Sequence, residues 1–388
     1  MGFRATEVTL RSLVASSVAI AVALMASSAS AADLDWDPEH THVFVVGLLE
    51  WEREDIWSPF PEAKKDRCDE QLVQYFLDAG VPAERVKYLQ DAKATKQHVI
   101  QAFNKFLDNT EEGDFLVFYF AGHGYRDRDT GQTWFAIYDA ADKNQSGWNV
   151  RGIFKAIEER FSGDRALLLA DCCHSGALYD EVLARADSEI AYATLTSSYS
   201  HNTSTGAWTF TDSLLEAMRG RPVVDYNEDQ TIDLAEAARF VRGEMAFIEG
   251  QMSMFIADED FGEDTVVAEP SGPREPHVDS HCQAQWNGKW FKARVVEFDA
   301  ASKSYKVHYL GYNDDTDEWL PAARIRPYKP QEFAVGAKVQ GFSSDDDKWY
   351  PAKVRDAWYG LHLIRYDGYD AAWDEWVGPG FVKARGAE

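Results

Sequence analysis

Two stretches of this chain, FLVFYF at 115–120 and ALLLA at 166–170, carry no charged residue and almost no polar atom. A strand with water on one face alternates apolar and polar residues, so unbroken apolar runs of this length belong to strands covered on both faces. Around them lie further apolar strands, THVFVVGLL (41–49), RVKYL (85–89) and YATLTSS (192–198), with WFAIYD (134–139) between. Helical patterns separate them: DEQLVQYFLDA (69–79), TKQHVIQAFNKFLDN (95–109), NVRGIFKAIEERF (149–161) and TFTDSLLEAMRG (209–220). Strands alternating with helices predict βαβ units, hence an α/β domain with a mostly parallel sheet flanked by helices.

In such a sheet, chemistry gathers at the carboxyl ends of the strands. FLVFYF runs into Ala121, Gly122, His123 and Gly124, and ALLLA runs into Asp171, Cys172, Cys173, His174, Ser175 and Gly176. A thiol becomes a good nucleophile near neutral pH when a base or positive charge lies beside it, and a His at a neighbouring strand end supplies one. The flanking glycines allow a substrate backbone and an oxyanion to approach without a Cβ in the way.

The chain has four cysteines, Cys68, Cys172, Cys173 and Cys282. At 388 residues it is too large for two bridges to be its main staple, and adjacent cysteines bridge only with strain. Reactivity is the better account of at least one of them. The N-terminus has Arg4 and Arg11, an apolar run over 13–25, and the small-residue site Ala-Ser-Ala at 29–31. That is the layout of a secretory signal peptide over 1–31, shorter in its apolar part than a membrane span. The expectation is an exported, secreted or periplasmic protein with no membrane association after signal cleavage. A net charge of −26 argues against nucleic acid as a partner.

The motifs AGHG at 121–124 and DCCHSG at 171–176 resemble those of metacaspases and bacterial caspase-like cysteine peptidases, over roughly residues 40–262 of a domain expected to span 40–267. The resemblance implies a caspase-like fold, His123 as the base and Cys173, the residue directly before His-Ser-Gly, as the nucleophile. Backbone N–H groups of Cys173 and Gly124 would receive the oxyanion. It further implies that Asp171 and Asp69 bind an Arg or Lys side chain before the cut in a peptide or protein substrate. The alternatives are a non-catalytic caspase-fold scaffold, against which the retained His123 and Cys173 speak, and an asparagine-specific peptidase of legumain type, against which Asp171 speaks.

After the last helical pattern, DYNEDQTIDLAE (225–236) places Asp225, Asn227, Asp229, Thr231, Asp233 and Glu236 at the offsets of an EF-hand-type loop. Oxygen donors at these spacings converge on one hard cation, so Ca²⁺ is the expected cofactor. Gln230 stands where such loops have the turn-forming glycine, which lowers the expected affinity.

A Pro-rich polar linker covers 268–280, and beyond it an internal repeat appears. KWFKARV (289–295) recurs as KWYPAKV (348–354), and VHYLGYNDDTDEW (307–319) recurs as IRYDGYDAAWDEW (364–376). Each repeat reads as a small five-stranded barrel, over 281–328 and 333–386. Both resemble Tudor and chromo-barrel modules of SH3-like build, whose aromatic cages bind methylated Lys or Arg by cation–π attraction. The resemblance makes Trp290, Tyr309, Tyr312 and Trp319, then Trp349, Tyr366, Tyr369 and Trp376, candidates for contact with an unidentified peptide or surface ligand. The competing expectation is that several of these rings are barrel core.

Overall fold

The computed structural model describes residues 36–386 apart from 128, 129, 276, 313 and 344–347; the segment expected to be a signal peptide lies outside the described residues. In chain order the first domain contains β1 (Thr41–Gly47), α1 (Cys68–Asp78), β2 (Val86–Gln90), α2 (Lys96–Leu107) and β3 (Phe115–Ala121). There follow β4 (Gly124–Arg126), β5 (Thr133–Phe135), β6 (Trp148–Asn149), α3 (Val150–Arg160), β7 (Arg165–Asp171) and α4 (Ala177–Leu183). The domain ends with β8 (Ala191–Thr196), α5 (Thr209–Met218), β9 (Ile232–Asp233), α6 (Leu234–Glu244), β10 (Met254–Ala257) and β11 (Val266–Ala268).

The main sheet has the order β10-β8-β7-β3-β1-β2. Its strands are parallel except β10, which pairs antiparallel with β8 at one edge. The unbroken apolar runs sit at the centre, as burial on both faces requires. In β3, Leu116, Phe118 and Phe120 share one face and pack with Val99 and Phe103 of α2 and Ile153 and Phe154 of α3. Val117 and Tyr119 face the other way, onto Leu72 and Phe76 of α1, Leu214 of α5 and Phe240 of α6. WFAIYD does not join this sheet; Thr133–Phe135 belongs to a separate antiparallel sheet, β4-β5-β6, whose Phe135 stacks on Phe120 at 4.2 Å.

Two five-stranded antiparallel sheets follow, with one topology. The first comprises β12 (His281–Trp286), β13 (Lys289–Asp299), β14 (Ser304–Tyr309), β15 (Glu318–Pro321) and β16 (Ile325–Pro327). The second comprises β17 (Lys338–Ser343), β18 (Lys348–Trp358), β19 (Leu361–Tyr366), β20 (Glu375–Val377) and β21 (Val382–Ala384). Both long second strands shift register at matching places, between Val295 and Glu297 and between Val354 and Asp356, which bends a strand enough to close a small barrel. The cores differ at several positions, and one pair of exchanges is compensated. Where the first barrel has Ala284 and Val307, the second has Gly341 and Ile364, and a Cβ on Gly341 would lie 2.1 Å from Ile364 Cδ1.

The barrels are seated on the peptidase-like domain through the end of α6 and the π-helical turn Met245–Glu249 that continues it. Glu244, nearly buried, pairs with Arg294 and with His281 Nε2 (2.8 Å), and the His281 ring stacks on Phe247 at 3.9 Å. Ala246 and Met252 pack with Leu361, joined by Trp358, Tyr359 and Trp376.

Candidate active site

The pairing register brings the two motifs together. Ala121 at the end of β3 lies opposite Asp171 at the end of β7, so His123 and Cys173 each stand two residues beyond a paired position. Gly122 N–H donates to the Asp171 carbonyl (3.2 Å), keeping the two chain ends together as they leave the sheet. The close approach explains Gly124: a Cβ there would lie 1.9 Å from the Cys173 carbonyl oxygen and 3.1 Å from Cys172 Sγ.

His123 Nε2 donates to the Ser58 carbonyl at 2.8 Å. That bond puts the ring proton on Nε2 and leaves Nδ1 as the acceptor. The ring is held by Trp51 and Phe60, at centroid distances of 4.5 and 4.6 Å, with Trp57 at 5.7 Å. Burial, with the nearby Lys143, lowers the imidazole pKa, only partly opposed by the Ser58 carbonyl. His123 is therefore a neutral base near pH 7.

Cys173 is half-buried, and its Sγ accepts the Ser204 N–H at 3.1 Å. Burial pushes its thiol pKa up, while the backbone N–H groups of Ser204 and Cys173, together with Lys143, pull it down. Cys172 is buried in the core, and burial holds its thiol far above the ordinary value. All four cysteines are free thiols. His174 takes a left-handed backbone (φ 58°) and directs Nδ1 at the Ser200 carbonyl (3.1 Å), a placement distinct from that of His123.

Asp171 borders an opening lined by Phe60, Gly122, Gly206, Ala207 and Trp208. Its Oδ2 accepts from Thr211 Oγ1 at 2.7 Å, and Tyr119 OH lies 2.7 Å from the same hydroxyl. Burial raises its carboxyl pKa to about 6, against the hydrogen bonds from Thr211 and Ser197.

Asp69 does not share this opening. It is fully buried and carries a bidentate pair with Arg67, Nε–Oδ1 3.0 Å and Nη2–Oδ2 2.7 Å, and it accepts from Tyr88 OH at 2.8 Å. Arg67 also reaches Asp91 Oδ2 (2.7 Å) and the Gly47 carbonyl (3.1 Å). A Cβ on Gly47 would fall 1.7 Å from Asp69 Oδ2, so the end of β1 is shaped around this pair. Both Asp69 oxygens are thus satisfied within the fold by Arg67 and Tyr88.

The loop at 225–236 curls around its own acids. Asp225 accepts the N–H groups of Asp229 and Gln230, each at 3.2 Å, and Glu236 Oε1 accepts those of Tyr226 (2.8 Å) and Asn227 (3.1 Å). Thr231 N–H donates to Asp229 Oδ1 at 2.9 Å, and Asp233 and Glu236 form a capping box at the start of α6. Gln230 makes the left-handed turn (φ 74°) without the usual glycine. Among the described residues, no three His, Cys, Asp or Glu side chains are gathered tightly enough to hold a metal ion.

The first barrel carries an aromatic cluster that only partly overlaps the sequence candidates. Tyr309 and Tyr312 join Trp286 and Phe291, and all six centroid distances among the four rings fall between 5.9 and 6.5 Å. Four points equally far from one another are the corners of a tetrahedron. Its centre lies about 4 Å from each ring, within cation–π range. Trp290 stands elsewhere, its face covered by the Arg326 guanidinium at 4.1 Å, and Trp319 is exposed. In the second barrel Tyr366 is 6.0 Å from Tyr350 and 6.3 Å from Tyr369, but Ser343 takes the place corresponding to Trp286. Trp349 is covered by Lys383 at 3.8 Å, and Trp376 packs at the junction with the first domain.

Ser58, Ser204, Arg67 and Trp286 were not singled out by sequence. Ser58 and Ser204 act through a backbone carbonyl and N–H that any residue type offers. Arg67 and Trp286 carried signals, a basic residue two places before an expected ligand and a Trp directly before a hairpin Asn-Gly.

Comparison with known proteins agrees with this architecture. The family profile described as the caspase domain matches residues 62–261, and that of the Agenet domain matches residues 277–330. No curated protein matches the chain. Among solved structures, protein GSU0716 from Geobacter sulfurreducens is 14% identical, covering 60% of this chain and 99% of its own, with a TM-score of 0.41. The Drosophila initiator caspase Dronc is 12% identical over 63% of this chain and 90% of its own, with a TM-score of 0.37. The Arabidopsis thaliana AGDP1 Agenet pair is 22% identical over 28% of this chain and 81% of its own, with a TM-score of 0.14. With more than half of its length matched by the caspase-domain profile and a C-terminal Agenet barrel of Tudor-like build, the chain belongs to the caspase-domain family of cysteine peptidases.

Proposed function

We propose that this protein is an exported, metacaspase-type endopeptidase that cuts peptide bonds after Lys or Arg, with His123 and Cys173 as its dyad. The observation that carries the proposal is the pair of neighbouring strand ends, with His123 oriented by Ser58 and Gly124 pressed against the cysteine backbone. Both partners are neutral at rest. Nδ1 of His123 takes the Sγ proton as sulfur attacks the substrate carbonyl carbon, and the carbonyl π pair moves onto oxygen. Backbone N–H groups of Cys173 and Gly124 receive that oxyanion. On collapse the C–N bond breaks, the imidazolium returns its proton to the leaving amine, and Cys173 holds the acyl group. Water, deprotonated by His123, then attacks the thioester, and the Cys173 thiol is released.

Asp171, ionised, is the group suited to a basic side chain entering the opening beside Trp208. The loop at 225–236 is proposed to bind Ca²⁺ through Asp225, Asn227, Asp229, the Thr231 carbonyl, Asp233 and Glu236. Bound there, the ion would tie the end of α5 to the start of α6. Support comes from the curl of the loop around its acids and the left-handed turn at Gln230. The first barrel is proposed as a targeting module for a cationic, methylated side chain of a peptide or surface ligand, with Trp286, Phe291, Tyr309 and Tyr312 as its walls.

The test is cleavage of matched fluorogenic peptides ending in Lys, Arg, Asn or Asp by the mature protein and its Cys173→Ala variant, with Ca²⁺ or with chelator. Cleavage after Lys or Arg that disappears in the variant is expected. Cleavage after Asn alone, or no cleavage by folded, reduced, Ca²⁺-supplied protein, would overturn the proposal.

A further inference from the structure

The second barrel reaches the cysteine motif through one residue. The segment 197–204, which leaves β8, holds that motif in three ways: Ser204 N–H donates to Cys173 Sγ (3.1 Å), Ser198 Oγ donates to the Cys172 carbonyl (3.0 Å), and the Asn202 carbonyl accepts the His174 N–H (2.9 Å). The Asn202 side chain turns the other way. Its Nδ2 donates to the Trp376 carbonyl at 2.9 Å and its Oδ1 accepts the Trp376 N–H at 3.0 Å. Asn202 thus binds the nucleophile's neighbour with its backbone and strand β20 of the barrel with its side chain.

The barrel edge is firmly seated at this point. Trp376 packs with Leu361, Met252 and Ala246, and a Cβ on Gly378 would lie 2.3 Å from the Gly250 carbonyl oxygen. Gln251, from the same junction, donates to the Ser197 carbonyl and to Ser204 Oγ (3.1 Å). The corresponding residue of the first barrel, Trp319, is exposed, so the repeat uses this face as a dock only once.

We propose that the second barrel is a built-in part of the active site, and that Asn202 is a positioning residue linking the barrel's seat to the Ser204 N–H that holds the Cys173 sulfur. A backbone N–H aimed at sulfur favours the thiolate and fixes the direction of attack. The same segment continues into Thr205, Gly206, Ala207 and Trp208, which border the Asp171 opening, so the barrel edge supports both the nucleophile and the specificity pocket. The proposal rests on Cys173 being the nucleophile.

The test uses the full chain, wild type and Asn202→Ala. Its measurements are the pH dependence of Cys173 alkylation by iodoacetamide, hydrogen exchange over 202–206, and turnover of a Lys-ending peptide. The charged groups facing Cys173, Lys143 and Asp171, and the titratable His123 at the neighbouring strand end are untouched by the substitution. In the variant the alkylation midpoint should rise by about one pH unit, a tenfold change in thiolate at fixed pH. Exchange over 202–206 should quicken about tenfold. Turnover kcat should fall about tenfold with KM changed less than about threefold. A folded Asn202→Ala with wild-type alkylation and exchange overturns the proposal. Should that variant not fold, Asn202→Asp, which keeps the acceptor for Trp376 N–H and loses the donor, decides by the same measurements. If alkylation and exchange shift but neither protein cleaves any peptide, positioning by the barrel stands and the peptidase assignment falls.

Discussion

His123 and Asp171 are tuned in opposite directions by the same cause, burial, and this sets the expected pH behaviour. A lowered imidazole pKa keeps the base neutral below its ordinary range, whereas a carboxyl raised to about 6 must lose its proton to hold a cationic side chain. For a Lys or Arg substrate, kcat/KM should therefore fall as pH drops through about 6. Reaction of Cys173 with a small neutral electrophile should lack that limb; a shared limb would assign it to His123. Since the folded state raises the Asp171 pKa, ionising it costs stability as pH climbs from its unfolded value through about 6. Asp171→Asn should then abolish cleavage after basic residues while unfolding in urea no earlier than wild type at pH 7. A large loss of stability would assign Asp171 a structural role. Arg67 is the converse case, since its removal strands the fully buried Asp69. Arg67→Ala should cost about 3–5 kcal/mol in urea unfolding, with Asp69→Asn in the same chain restoring part of it.

At the scale of elements, the loop before α6 and the aromatic walls of the first barrel carry the binding proposals. Ca²⁺ at a hundredfold excess over its Kd should stabilise the protein by about 2.7 kcal/mol, seen as a rise in Tm, and Glu236→Gln should abolish most of that rise. An unchanged wild-type Tm would remove calcium from the account. In the first barrel, Trp286→Ala should weaken binding of a trimethyl-lysine peptide at least about tenfold, whereas Trp290→Ala, whose ring already faces Arg326, should not. Equal losses would show that the two rings share one site. Trp286 has no aromatic counterpart in the repeat, since the second barrel has Ser343 there, so matching the two repeats does not single it out. Helix α1 begins one residue before the expected start, at Cys68, because a hydrophobic stripe marks a helix face better than its first turn. Strand β10 was not foreseen, since four residues after a loop carry little periodicity of their own and are ordered by pairing with β8.

For the whole molecule, the barrels and the peptidase domain form a single compact unit among the described residues. Leu361 is fully buried in the cluster that joins them. Leu361→Asp should split a single calorimetric transition into two and lower the first Tm; one unchanged transition would show that the junction contributes little. The sequence alone determined the parallel sheet, the two repeats, and the placing of His123 and Cys173 at strand ends. Those properties rest on local apolar runs, turn residues and the fixed direction of a parallel strand. Only the tertiary structure decided that Arg67 claims Asp69, that Ser58 orients His123, and that Trp376 meets Asn202. Each of these depends on which distant backbone group or side chain arrives within hydrogen-bonding distance once the layers pack, and chain spacing does not encode that distance.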